Sequence, residues 1–113
     1  DTLGNAIAAS PIILICIDCY ASIRALLQPD GVAGHLAGRT IVNLTTGTPR
    51  EAEALSAWVG YQGAHYLDGA ILCGPSAIGT EGGELLFSGD ALAWQEACLR
   101  GLMTPIDARW HKA

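Results

Sequence analysis

Basic residues are scarce in this sequence: six Lys and Arg stand against eleven Asp and Glu, a net charge of −5 with His neutral. A surface that binds nucleic acid by displacing phosphate counterions needs the opposite balance, so nucleic acid is not expected as a partner. Long apolar runs are missing too. The longest, Pro11-Ile-Ile-Leu-Ile-Cys-Ile17, has a strand's length, far below the roughly 18–20 residues that cross a bilayer as a helix. The first residues lack the basic, apolar, then small pattern of a signal peptide. A soluble, cytoplasmic protein with no membrane partner is expected. Charge of either sign is sparse at 15% of residues, whereas 50% are apolar; a disordered chain has the reverse composition. The 113 residues support one domain at most. They open mid-pattern without an initiator Met, as a piece of something longer would.

Cysteine chemistry is thin. Cys16, Cys19, Cys73 and Cys98 contain one Cys-x-x-Cys pair, Cys16-Ile-Asp-Cys19, with no second pair and three scattered His. That pattern does not make a zinc site, and no metal is expected. A dithiol redox motif would place both thiols at a strand-to-helix junction. Here Cys16 lies inside the apolar run and Cys19 opens the next element, so the two need not face each other. Buried structural thiols are the default expectation, and a dithiol redox protein is the weakest of the readings.

What the sequence does contain is a repeated alternation of strand and helix. Residues 1–10 read as the tail of a helix closed by Ser10-Pro11. Residues 11–17, apolar throughout and rich in Ile, predict a strand buried on both faces, as in a parallel sheet. Asp18 is the expected cap of the next helix, whose apolar face is Ile23, Leu26 and Leu27 and which ends at Gln28-Pro29. Residues 30–38 form a glycine-punctuated connection, and residues 40–45 a second strand. Thr48-Pro49-Arg50-Glu51 is the clearest local signal: an N-cap, a proline at the first helical position and a Glu that completes a capping box. Ala52, Leu55, Ser56 and Val59 continue that helix at i, i+3, i+4, i+7, and Gly63 closes it. A third strand over 65–72 leads into a loop-like stretch over 73–83. A fourth strand over 84–88 follows, then a helix capped by Asp90 and carrying Leu92, Trp94, Cys98, Leu99 and Leu102. Residues 106–110 are a short terminal strand.

This rhythm specifies an α/β fold with a mostly parallel sheet and right-handed crossovers. In open sheets of this kind ligands bind outside the carboxyl ends of the strands. Three segments occupy those ends: Ile17-Asp18-Cys19-Tyr20, Thr45-Thr46-Gly47-Thr48 and Leu72-Cys73-Gly74-Pro75. Individual motifs add little. Gly74-Pro-Ser-Ala-Ile-Gly79-Thr80 has the gap of a phosphate loop but Thr80 where the Lys belongs, and no Gly-x-Gly-x-x-Gly occurs. Asn43-Leu44-Thr45 matches a glycosylation sequon by chance. Asp68 is a candidate general base, with a strand carboxylate hydrogen-bonded to nearby amides as the favoured alternative. His65 reads as a surface residue entering a strand, and His35 sits in a loop without a partner. Ser76 lacks a nucleophile elbow, and Trp58 and Trp94 read as packing or dimer-contact residues. No complete catalytic constellation emerges.

Three segments carry a family resemblance. Asn43-Leu-Thr-Thr-Gly-Thr-Pro49 resembles the strand-to-helix segment of the imine reductases. Asp68-Gly-Ala-Ile-Leu-Cys-Gly-Pro75 with Ile78-Gly-Thr80 resembles their next strand and loop, and Leu85-Leu-Phe-Ser-Gly89 is similar to the strand beyond. The wider group, the β-hydroxyacid dehydrogenases related to 6-phosphogluconate dehydrogenase, carries Ser-Thr-x-Ser-Pro at residues 45–49 and Ser-Gly-Gly at 72–74. The departures favour the imine reductase branch and argue against a hydroxyacid substrate. The resemblance implies the C-terminal half of a Rossmann-like NAD(P)-binding domain over residues 1–113, without the glycine-rich first half and without the helical dimer domain that supplies the proton donor. It implies NADPH as cofactor, a small-molecule imine as substrate and a homodimer. It implies Ile17, Asp18, Cys19 and Tyr20 under the ribose and diphosphate, Thr45 and Thr46 at the nicotinamide ribose, and Leu72, Cys73 and Pro75 in the substrate pocket. No residue matches the family's catalytic proton donor. The full enzyme would deliver hydride to an iminium carbon by orientation in an apolar pocket, and this chain alone would have little or no activity. The alternative implied by a missing first strand is a non-catalytic scaffold that self-associates through its exposed edge.

Overall fold

The structure, a computed structural model, describes residues 2–72, 76, 85–99 and 108–112. Its elements run α1 (Thr2–Ala8), β1 (Ile12–Ile15), α2 (Tyr20–Leu27), α3 (Asp30–Ala33), β2 (Thr40–Asn43), α4 (Pro49–Tyr61), β3 (His65–Ile71), β4 (Leu85–Gly89), α5 (Ala91–Leu99) and β5 (Ala108–Lys112). The strands form one sheet in the order β1-β2-β3-β4-β5. β1/β2, β2/β3 and β4/β5 pair parallel, and β3/β4 antiparallel. The mostly parallel α/β sheet is thus the expected one. Among the described residues no helix is long and apolar enough to cross a membrane.

Strand β2 is buried at all four positions, as a central parallel strand covered on both faces must be. Its alternate side chains feed two cores. Ile41 packs with Ile7, Ile23, Leu36, Leu55 and Val59 from the helices α1 to α4 and their loops. Val42, on the other face, packs with Leu67, Phe87 and Ala93 of α5. The expectation of a doubly buried first strand fails: β1 has only Ile15 buried, and Leu14 is 55% exposed. The reason is its place at the sheet's edge, where among the described residues no strand flanks its outer side.

Helix α4 begins as its sequence dictates. The Glu51 amide donates to Thr48 Oγ1 at 3.1 Å and the Thr48 amide to Glu51 Oε1 at 3.0 Å, a complete capping box with Pro49 at the first position. Thr48→Ala is expected to lower the unfolding free energy by about 1 kcal/mol. Urea denaturation checks this through a lower midpoint at unchanged slope. At the other end Gly63 takes φ +83°, the left-handed conformation that closes a helix and that a side chain would strain.

Other local readings change. Asp18 is not the N-cap of α2; Cys19 is, and its side chain makes no capping bond. Residues 30–33, read as part of a connection, form the short helix α3, which buries Val32. Cys16 and Cys19 are exposed free thiols, not buried ones, because both follow the last paired residue of the edge strand. Asp90 does cap α5, accepting from the Leu92 amide at 2.9 Å. It also pairs with His65 Nδ1 at 2.5 Å. Burial opposes ionisation of Asp90, but the Leu92 amide and His65 outweigh it and hold the carboxyl below its ordinary value.

Candidate functional site

Parallel strands β1 and β2 end side by side, with Ile15 registered to Asn43. The segments that follow them are joined by the Ile17 amide, which donates to Thr45 Oγ1 at 3.1 Å. Residues 16–19 and 44–48 therefore make one ledge at the carboxyl edge of the sheet, where the starts of α2 and α4 also lie.

Beneath the ledge runs a polar network built from β2, β3 and the start of α2. The Thr45 amide donates to Asn43 Oδ1 at 3.0 Å. Asn43 Nδ2 donates to Tyr66 Oη at 3.0 Å. Tyr66 Oη donates to Asp68 Oδ1 at 2.9 Å, and Tyr20 Oη to the same oxygen at 2.8 Å. Asn43 and Asp68 are register partners on β2 and β3. Asn43 is 0% exposed, Tyr20 3% and Tyr66 5%. Buried polar groups must find partners, and here each finds another member of the same network. The Tyr20 ring lies against Gly47, where any Cβ would collide with it; the glycine of the resemblance motif is needed for that approach. Burial first, and then the adjacent Asp68 carboxylate, push the Tyr20 phenol up to about 12. Burial pushes Tyr66 higher still.

Among the described residues Asp68 is thus held by two tyrosine hydroxyls and not by the backbone amides expected of a strand carboxylate. It faces a groove of about 690 Å³ shared with Thr48, Pro49, Glu53, Ser56, Tyr66 and Ser88. A second, apolar groove of about 260 Å³ follows β1 between Leu3, Leu14, Ile17, Ile23 and Leu26.

The residues singled out from sequence separate clearly by environment. Ile17, Asp18, Cys19 and Thr46 are exposed on the ledge, whereas Thr45 and Tyr20 are buried beneath it. The Ser22 hydroxyl, with the amides of Asp18 and Cys19, holds the Asp18 carboxyl below its ordinary value. Leu72 is 54% exposed just past the end of β3. Cys73 and Pro75 lie outside the described residues. Trp58 packs against the first core and Trp94 against the second, its ring 5.6 Å from that of Phe87. Sequence reasoning missed Asn43 and Tyr66 as site residues. The available signal was an Asn amid Thr-Ile-Val-Asn-Leu-Thr, a polar group in a strand that has to be buried. Among the described residues no three His, Cys, Asp or Glu side chains come together to hold a metal.

No protein-family model matches the chain. An NADPH-dependent reductive aminase of Aspergillus oryzae (strain ATCC 42149 / RIB 40) is 36% identical over 92 residues, which are 81% of this chain and 30% of the relative. An imine reductase from Myxococcus stipitatus in complex with NADP+ superposes with a TM-score of 0.88 at 32% identity, over 99% of this chain and 39% of that one. A reductive aminase from Aspergillus terreus in complex with NADPH4, cyclohexanone and allyl amine gives 0.80 at 30% identity, over 97% and 37%. The chain therefore spans between about three and four tenths of the length of these relatives. The likeness in sequence and in space converge: the chain is similar to the imine reductases and corresponds, in its Rossmann-like α/β fold, to part of their length.

Proposed function

We propose that this chain is the nicotinamide-side half of the nucleotide-binding domain of an NADPH-dependent imine reductase. The observation that carries the reading is the ledge itself: the ends of β1 and β2 are tied into one surface by the Ile17–Thr45 bond, at the edge where open α/β sheets bind dinucleotides. The residues fit the sugar and nicotinamide end of such a cofactor. Thr46 offers an exposed hydroxyl, residues 16–19 offer exposed backbone, and the starts of two helices lie along the same edge. They do not fit the diphosphate, since no glycine-rich phosphate loop occurs in the sequence.

NADPH, when bound, supplies the hydride that reduces a C=N bond. The chain's own part is orientation and exclusion of water. Thr46 holds the ribose, while Thr45, buried and already accepting from Ile17, fixes the ledge from below. Ile17, Asp18 and Cys19 support the ribose side, and Tyr20 holds them from below. Leu72 offers an exposed apolar side chain just past β3, which suits an iminium substrate reduced without a nucleophile. Exposed, unbridged thiols at Cys16 and Cys19 agree with a reducing, cytoplasmic setting.

Calorimetric titration of the chain with NADPH tests the reading. Weak saturable binding is expected, with no turnover of a cyclic imine. Turnover by the 113-residue chain would overturn its assignment as an incomplete enzyme, and absence of any nucleotide binding would overturn the cofactor ledge. One observation favours a second reading, a non-catalytic scaffold that self-associates: Leu14, Ile17 and Leu26 are 55%, 37% and 49% exposed along the unpaired edge of β1. Such edges seek pairing. A concentration-independent monomer by light scattering would remove it.

A further inference from the structure

We infer that Asn43, Tyr66, Asp68 and Tyr20 are positioning residues that set the shape of the cofactor ledge, with Asp68 as their common acceptor and not a general base. The inference rests on the cofactor reading for its purpose, but not for its geometry.

The argument is one of donor and acceptor direction. An ionised carboxylate only accepts hydrogen bonds. Both phenols at Asp68 Oδ1 must therefore donate to it. Once Tyr66 has spent its single proton there, its oxygen can only accept from Asn43, which forces Nδ2 toward the ring. The carboxamide is then turned with Oδ1 toward the Thr45 amide. That bond holds Thr45 where its own Oγ1 receives the Ile17 amide across the strand gap. An acceptor on β3 thus dictates the orientation of each group up to the end of β1. A carboxamide without this bias can flip between two nearly isosteric states, and only one of them holds the Thr45 amide.

Tyr20 closes the arrangement from the other side. It is the first residue of α2, is 3% exposed, and its ring occupies the space that Gly47 leaves open. Its bond to Asp68 pins the start of α2 to the same oxygen that orients Asn43. Both loops of the ledge are therefore referenced to a single atom. A base role fits poorly, because Oδ1 is already shared by two phenols.

Residue-resolved amide hydrogen exchange on the chain, with NADP+ titration alongside, tests this. In Tyr66→Phe the amides of Thr45 and Ile17 are expected to exchange about five- to tenfold faster than in the native chain, the effect of one lost hydrogen bond. Amides within α4 and the β2–β3 ladder should change much less. Uniform acceleration at all amides, or none at these two, would overturn the network. If Tyr66→Phe does not fold, Asp68→Asn keeps the shape but removes the enforced direction, and a smaller acceleration at the same two amides is expected. In the titration, weaker NADP+ binding by the variant than by the native chain supports a role in shaping the ledge, and equal binding overturns it. A native chain that binds no NADP+ overturns the cofactor purpose, while the exchange data still decide the network.

Discussion

Phe87→Ala is expected to remove about 3–5 kcal/mol of stability, the cost of deleting a fully buried aromatic and leaving a cavity. Phe87 is 0% exposed, and among the described residues the core on its face of the sheet has three other buried members, Val42, Leu67 and Ala93. Its ring lies over Gly69, its register partner on β3, where an added Cβ would come within 2.6 Å of it. Its other side meets the Trp94 ring, tilted by 44°. Gly69 has no side chain to fill the space the ring leaves. A domain of this size has about 5–15 kcal/mol in total, so the variant should sit close to the unfolding threshold. Thermal or urea denaturation reads the loss, with Leu92→Ala, at a 59% exposed position of α5, as a control expected within about 0.5 kcal/mol of the native chain. Equal stability of the two variants would show that the α5 face contributes little to the fold.

The sequence carried the parts of this structure that are written locally. The capping box at Thr48 and Glu51, the i, i+3, i+4, i+7 stripe ending at Val59 and the closing Gly63 depend on neighbours within a few residues, and all three appear in α4. The β2 strand was legible because the β-branched Thr40-Ile41-Val42 suits a strand buried on both faces. The same logic failed for β1, whose composition is that of a central strand although it lies at an edge; composition records what a strand can tolerate, not which neighbours are present. Asp18 and Cys19 were exchanged as caps because both precede the helix and one residue of register separates them. The site network was the least legible. Asn43 and Tyr66 are 23 residues apart and Tyr20 and Asp68 are 48 apart. Their meeting follows from parallel register, which no local pattern encodes. The carboxyl-edge rule found the correct region but could not distinguish exposed Thr46 from buried Thr45, since that difference depends on which hydroxyl meets the Ile17 amide.

Asp68→Ala is expected to cost about 2–5 kcal/mol, because it strands two phenol hydroxyls at once and each buried unsatisfied donor costs about 1–3 kcal/mol. Tyr20 and Tyr66 are 3% and 5% exposed, so neither can turn to solvent without leaving the core. Tyr66 would keep the bond it accepts from Asn43, but its proton and that of Tyr20 would be left to share each other's oxygens in place of a carboxylate. Asp68→Asn should cost less than half as much, since a carboxamide oxygen can occupy the place of Oδ1. A double-mutant cycle between Asp68→Ala and Tyr20→Phe should give a coupling of about 0.5–3 kcal/mol, as for groups in direct contact. Alkali supplies an independent readout. The Tyr20 phenol is raised from its ordinary 10.0 to about 12, so between those values the native state keeps a proton that the unfolded chain releases. Stability is therefore full below pH 10 and falls as pH rises from there toward about 12. Tyr66, raised further by burial, extends the fall. Part of that elevation comes from the Asp68 charge, so the alkaline loss should be shallower in Asp68→Asn than in the native chain. Parallel alkaline profiles would mean that burial alone raises the two phenols and that the carboxylate acts only as a neutral acceptor would.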